Sequence, residues 1–406
     1  MKRTPIAFAV AAMLGLTGAA QAQAPAPKLS GDVIRIGFIT DMSGLYADID
    51  GPAGGEMIKM AVEDAKKTMP GVKVEVLVAD HQNKADVASS KAREWFDQQG
   101  LDMLVGGTNS ATGLAMAKVA ADKKKPFIAI GPGTARLSNE DCTPYTVHYA
   151  YDTVALAKVT GNAVVKAGGK SWYFLTADYA FGHSLESDTT AVVKAAGGNV
   201  TGSVRHPLSA SDFSSFLLQA QSSKAQILGM ANAGGDTINT IKAANEFGIT
   251  KSMKLAGLLM FINDVHSLGL NLTQGMYMTD SWYWNQSPEA REWARRFFTK
   301  VKRMPSSLQA ADYSAATNYL KAVAAAGTDD GDAVMKQLKS MKINDFYSKN
   351  GSIRADGRMV HDMYLMQVKK PGESKEPWDY LNVVATVPGD QAFTALADSK
   401  CPLVKR

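Results

Sequence analysis

Short apolar runs alternate with amphipathic stretches through the first half of the chain. DVIRIGFIT at 32–40 reads as a strand, GGEMIKMAVEDAKK at 54–67 as an amphipathic helix and VKVEVLVAD at 72–80 as a strand. A helix over 86–99, a strand in DMLVGG at 102–107, a helix over 110–121 and a strand in PFIAI at 126–130 continue the beat. Buried strands separated by helices are the mark of a parallel sheet covered on both faces. The beat restarts near residue 150. Helices over 152–169, 183–198, 213–223 and 236–248 alternate with strands at 171–176, 200–205, 225–231 and 254–260. Architecture recurs here, not a short sequence repeat. From GMYMTDSWYWN onward the pattern loosens. Helices over 288–302, 309–326 and 332–341 precede a hairpin signal, IRADGRM, with Asp356-Gly357 at its turn, and strands at 362–368 and 379–387.

The expected fold is therefore α/β, with two doubly wound, Rossmann-like lobes joined by a hinge of several chain crossings. Lobe 1 is assigned residues 32–149 and 280–355, and lobe 2 residues 150–279 and 356–390, with a C-terminal tail over 391–406. The length of 406 residues suits two such lobes better than one core. The N-terminus changes the picture of where the chain works. Met1-Lys2-Arg3 is basic, residues 6–16 are apolar, and Ala20-Gln21-Ala22 offers a small-x-small cleavage site. This predicts a secretory signal over 1–22, too short for a membrane anchor, followed by a flexible leader over 23–31. No lipobox cysteine follows, so a protein free in the periplasm is expected.

Loss of Lys2 and Arg3 takes the net charge from 44 − 39 = +5 to 42 − 39 = +3. The basic residues are scattered, DKKKP being the densest run, so nucleic acid is not an expected partner. The chain has two cysteines, Cys142 and Cys401. In an oxidising compartment they predict one disulfide that pins the tail, the alternative being two separately buried thiols.

Enzyme signatures find little support. AGGKSWYF has Val164 where a phosphate loop needs its leading glycine, and it precedes a strand. No G-x-S-x-G occurs, and His81, His148, His183, His206, His266 and His361 lack metal-ligand spacing. No metal and no cofactor are expected. What remains are small, polar turns where strands hand over to helices, the ends at which open parallel sheets bind ligands. In GGTNS, Gly106 and Gly107 allow close backbone approach, while Asn109 or Ser110 either caps the helix or meets a ligand. GPGTAR offers Gly133 and Thr134, or is an ordinary Pro-Gly turn. TADYAFGHS supplies Tyr179 and Phe181, and GMANAGGDT supplies Asn232 and Asp236, the last also a fitting helix cap. SWYWN reads as an aromatic strand whose alternation puts at least one of Trp282, Tyr283 and Trp284 in the core, leaving another for the cleft.

These turns, in this order behind a signal segment, resemble the periplasmic solute-binding proteins of ABC importers, in the leucine/isoleucine/valine-binding branch with the type I two-lobed fold. The resemblance runs through IRIGFITDMSGLYADIDGPAGGEMIKMAVEDA, VADHQNKADVASSKARE, LVGGTNSATGLAMAKVA, PFIAIGPGTARLS and TADYAFGHSLESD to DFSSFLLQAQSSKAQILGMANAGGDTINTIKAANEFGI. It implies that Asn109, Ser110 and Thr134, with Ala111 and Gly133 in the same turns, grip a ligand carboxylate. It also implies that Asp152 is the second-lobe acid that meets an ammonium, that Phe181 closes over the ligand, and that Tyr46 borders the cleft. A second ammonium-binding acid belongs near GLLMF, where this sequence has Leu258, Leu259 and Met260. That departure leaves two ligand classes open: a hydrophobic or branched-chain amino acid, and an aromatic or keto acid such as SGLYAD and DYAFG also resemble. The expected site is Tyr46, Asn109, Ser110, Ala111, Gly133, Thr134, Asp152, Tyr179, Phe181, Asn232, Met260 and Trp284. The implied function is capture by lobe closure and delivery to an ABC permease by a monomer, with a periplasmic sensor or, further off, an enzyme on the same fold as rivals.

Overall fold

The computed structural model describes residues 27–405, so the expected signal segment lies outside the described residues. Five parallel strands form the first sheet in the order β2-β1-β3-β4-β5: β1 Val33–Thr40, β2 Lys73–Asp80, β3 Met103–Gly106, β4 Phe127–Ala129 and β5 Thr146–His148. The strand period of two sorts the side chains between two faces. Ile39, Leu104 and Phe127 pack with Trp95 of helix Ala85–Gln98 and Met116 of helix Ser110–Asp122. Ile36, Phe38, Val105 and Ile128 face a larger core that holds Met57 of helix Gly51–Ala65 and Leu308 of helix Ser307–Ala326.

The second sheet is β7-β6-β8-β9, all parallel: β6 Ser171–Ala177, β7 Asn199–His206, β8 Ile227–Ala231 and β9 Lys254–Gly257. A three-stranded antiparallel sheet adjoins it, made of β10 Tyr277–Asp280, β13 Met363–Val368 and β14 Leu381–Val387. The predicted hairpin is present as β11 Ser352–Ile353 and β12 Met359–Val360, with Gly357 at φ +80° in its turn. The helix expected over 152–169 carries a π-helical turn at Ala157–Gly161 between Thr153–Leu156 and Asn162–Lys166.

Three differences from the sequence reading have physical causes. SWYWN is not a strand: the ladder ends at Asp280, and Trp282, Tyr283 and Trp284 are all buried. The Trp284 indole N–H donates to Trp378 O at 3.0 Å and the Tyr283 hydroxyl reaches the same oxygen at 3.4 Å. The Trp282 indole donates to Phe346 O at 3.1 Å, so two distant segments cover the three rings, which alternation cannot anticipate. The strand expected to run to residue 260 stops at Gly257, and residues 258–261 leave the sheet. Within the expected leader, the Lys28 amide donates to Gly327 O at 2.8 Å, and the Ser30 amide and hydroxyl both bind the Asp329 carboxylate. These backbone and side-chain bonds tie residues 28–30 to the first lobe.

Cys142 and Cys401 are joined as a disulfide across a sequence separation of 259. No helix among the described residues is long and apolar enough to cross a membrane.

Candidate ligand-binding site

The carboxyl ends of β1, β3 and β4 face those of β6 and β8 across a cavity of about 260 Å³. From the first lobe it is lined by Tyr46, Ile49, Thr108, Asn109, Ser110, Gly131 and Gly133, and across from them stand Tyr151, Tyr179, Phe181, Ala233 and Leu259.

The turn after β3 is shaped by its glycines. Gly106 and Gly107 sit at φ +92° and +76°, and a Cβ on Gly106 would lie 2.3 Å from the Phe38 ring. Only glycine combines that backbone with that approach. Asn109, at φ +83°, caps the following helix: its side-chain oxygen accepts from the Ala111 amide at 2.8 Å and the Thr112 amide at 3.3 Å. Capping and cleft lining are therefore both properties of Asn109. The Ser110 hydroxyl oxygen accepts from the Thr134 amide at 3.0 Å, which leaves its own hydrogen to donate into the cavity. Together with the partial positive charge of the helix start, this hydroxyl suits an anion.

Tyr46 is held by a turn built on Asp41. One Asp41 oxygen accepts from the Gly44 amide at 2.6 Å, and the other accepts from the Tyr46 amide at 2.9 Å and the Asn83 side chain at 2.6 Å. The Tyr46 and Tyr179 hydroxyls meet across the cleft at 2.6 Å. The Gly235 amide donates to Leu45 O at 3.1 Å, Asn263 donates to Asp48 O at 3.0 Å, and the Thr134 and Ser184 hydroxyls are 2.8 Å apart. These bonds join the lobes in a closed arrangement. Burial holds both phenols un-ionised by raising their pKa values.

Six of the expected site residues line this cavity: Tyr46, Asn109, Ser110, Gly133, Tyr179 and Phe181. The others are placed elsewhere. Ala111 and Thr134 adjoin the lining, Thr134 spending its hydroxyl on Ser184. Asn232 is buried under bonds to His206, Thr237 and Thr240, and its neighbour Ala233 takes the cleft position. Leu259, not Met260, faces the cavity, a change of one residue in a segment that has left the sheet. Trp284 is turned to Trp378.

Asp152 is the main departure. One oxygen accepts from the Ala155 amide at 2.8 Å as a helix cap, and the other lies 3.8 Å from the Arg358 guanidinium. Both side chains are fully buried, and Arg358 also donates to Tyr151 O and Met359 O at 2.9 Å each. Burial pushes Asp152 up and Arg358 down to about 10, each opposed by the other's charge. The acid expected to meet an ammonium is thus engaged with an internal cation. Sequence reasoning also missed Tyr151 and Ile49, which carry no turn or charge signal, and within the turns GGTNS and GPGTAR it did not single out Thr108 and Gly131.

Between β5 and β6, after β10 and before β13, at 149–152, 280–287 and 358–363, the chain runs between the first sheet with its helices and the other two sheets. His361 bonds Ala150 O at 2.7 Å, and Tyr347, whose ring packs against Tyr149 and His361, donates its hydroxyl to Ser281 at 2.8 Å, so the three segments are packed together. Burial raises Asp280, on the second crossing, to about 7. An acid whose folded pKa exceeds its unfolded value of about 3.9 binds more protons when folded between those values, so its contribution to stability falls as pH rises. Asp280→Asn removes that term. The stability difference between the wild type and this variant should change by on the order of 1 kcal/mol per pH unit between pH 4 and 7, at the variant's advantage as pH rises, and level off above. Denaturant unfolding at a series of pH values reads this directly, and a difference independent of pH would refute it.

The fold and cleft define a class: two-lobed α/β proteins that hold a small solute between facing sheet ends. The chain belongs to the periplasmic binding protein family, whose model matches residues 33–374. A periplasmic binding protein from Burkholderia mallei is 71% identical, with a TM-score of 0.91 over 92% of this chain and 100% of that one. A branched chain amino acid ABC transporter periplasmic ligand-binding protein from Burkholderia xenovorans is 39% identical, with a TM-score of 0.81 over 92% and 100%. Leu/Ile/Val-binding protein homolog 6 of Brucella melitensis is 25% identical over 379 residues, 88% of this chain and 93% of that one.

Proposed function

We propose that this protein captures a small carboxylate with an aromatic or keto-acid body between its lobes and delivers it to the membrane subunits of an ABC importer. The observation that carries the ligand class is the charge of the lining: among the described residues no acidic side chain lines the cavity, and Asp152 faces Arg358. An α-ammonium taken from water without a counter-charge costs several kcal/mol. A carboxylate, by contrast, meets the start of helix Ser110–Asp122 and the Ser110 hydroxyl. Tyr46, Tyr151, Tyr179 and Phe181 suit a flat apolar body. Micromolar capture needs about −8 kcal/mol. A few charge-assisted hydrogen bonds at about 1.5–3 kcal/mol each, with burial of one ring, supply it.

In this reading residues 32–149 with 280–355 move against 150–279 with 356–390, the protein works as a monomer sent to the periplasm by a signal over 1–22, and no catalytic step follows capture. A branched-chain amino acid is the second reading, favoured by the name of the Burkholderia xenovorans neighbour. A thermal-shift screen separates them. Benzoate-, cinnamate- and phenylpyruvate-like acids should raise the melting temperature where leucine, isoleucine and valine do not. A shift with the amino acids alone would overturn the aromatic assignment.

A further inference from the structure

The tail does not simply end on the surface of one lobe. It leaves β14, which is paired along its length with β13 in the sheet that adjoins the second lobe. That sheet also touches the second-lobe helix through the Thr160 and Thr279 hydroxyls, 2.7 Å apart. Past Pro388 the chain passes over the crossings. A Cβ on Gly389 would lie 2.5 Å from His361 O, so the backbone there is pressed against the third crossing. The Phe393 ring is buried 4.4 Å from the Arg358 guanidinium and 5.5 Å from the His361 ring. Lys158, on the second-lobe helix, donates to Phe393 O at 2.9 Å and Gln391 O at 3.3 Å. The tail then reaches the first lobe. The Lys400 amide donates to Asn139 at 3.1 Å, the Ser399 hydroxyl to Ser138 O at 3.4 Å, and Cys401 is bonded to Cys142.

We propose that the tail, locked by the Cys142–Cys401 disulfide, is a fourth covalent crossing between the lobes and sets how far they open. Without the disulfide, polypeptide passes between the lobes three times. With it, the path from β14 through Phe393 to Cys142 is a continuous covalent tie that begins on one lobe and ends on the other. It skirts an open inter-lobe groove with Arg136 and Glu140 on one wall, His183 and Asp188 on the other, and Asp398 and Lys400 from the tail itself. Opening widens such a groove, and the tie must lengthen with it. The residues from Phe393 to Cys401 span at most about 27 Å when fully extended. Part of that reach is folded into the short turn Leu396–Asp398. The tie therefore permits opening and caps its amplitude. This device is independent of which ligand the cleft takes.

The experiment uses the mature, oxidised chain without ligand and reads its dimensions by small-angle scattering. A chain of this size has a radius of gyration of about 21 Å, and releasing the strap in Cys142→Ser/Cys401→Ser should raise it by roughly 1 Å. Lys158→Met, with the disulfide intact, loosens the second-lobe end and should expand the protein in the same direction by about half as much. A disulfide that only stabilises the fold lowers the melting temperature and leaves these dimensions unchanged. Unchanged scattering from the folded double variant overturns the proposal. If the double variant does not fold, Lys158→Met decides: expansion supports the strap, and wild-type dimensions overturn it.

Discussion

Gly133→Val should weaken ligand-induced stabilisation while leaving the protein folded. Gly133 lies in the turn after β4, and its φ is not among the positive values, so the backbone itself accepts a β-carbon. The obstacle is across the cleft. A Cβ there would lie 2.8 and 3.0 Å from atoms of the Phe181 ring and 3.2 Å from Tyr151. Valine adds two methyl groups to that conflict, at a position that lines the cavity. Overpacking of this kind costs about 1–3 kcal/mol. Here the open arrangement relieves it, so the cost falls on closure and not on folding. Affinity should drop at least tenfold, about 1.4 kcal/mol, in titration calorimetry with whichever acid the thermal screen selects. A full ligand-dependent shift in this variant would mean that Phe181 does not close over the solute.

Asp152→Asn should lower stability and spare binding, the reverse of what an ammonium-binding acid would do. The carboxylate and the Arg358 guanidinium are both buried at 3.8 Å, and each is the other's main opposite charge. Removing one member of such a pair strands the other, at about 3–5 kcal/mol. Arg358→Met should cost the upper part of that range, because it also loses the bonds to Tyr151 O and Met359 O and the contact with the Phe393 ring. The double variant should be less destabilised than the sum of the two, since neither charge is then left alone. Denaturant unfolding of the four proteins closes the cycle. Additive losses, or an Asp152→Asn protein that folds normally and no longer binds, would return Asp152 to the ligand.

The two parallel sheets were legible because apolar runs at strand length and amphipathic runs at helix length announce themselves locally. So were the cleft turns: Asn109, Ser110, Gly133, Tyr179 and Phe181 sit where strand gives way to helix, the ends at which such sheets open. What escaped depends on partners far along the chain. Asp152 reads as an available acid until Arg358 is brought beside it. Asn232 reads as a polar handle until His206, Thr237 and Thr240 consume its side chain. Trp284 is taken by Trp378 in the same way. Leu259 and Met260 illustrate a different limit. Once the backbone departs from the sheet after Gly257, alternation no longer assigns faces, and the cavity falls to the neighbour.

The turn organised by Asp41 has a kinetic meaning. With the Gly44 and Tyr46 amides and the Asn83 side chain already gathered on one carboxylate, Tyr46 is presented in its working position by folding itself. Ordering a loop backbone costs about 1–2 kcal/mol per residue, and here that entropy is spent in folding, before any solute arrives. Under the proposed function, encounter on the first lobe then has little left to arrange, and closure of one half onto the other is the step that remains.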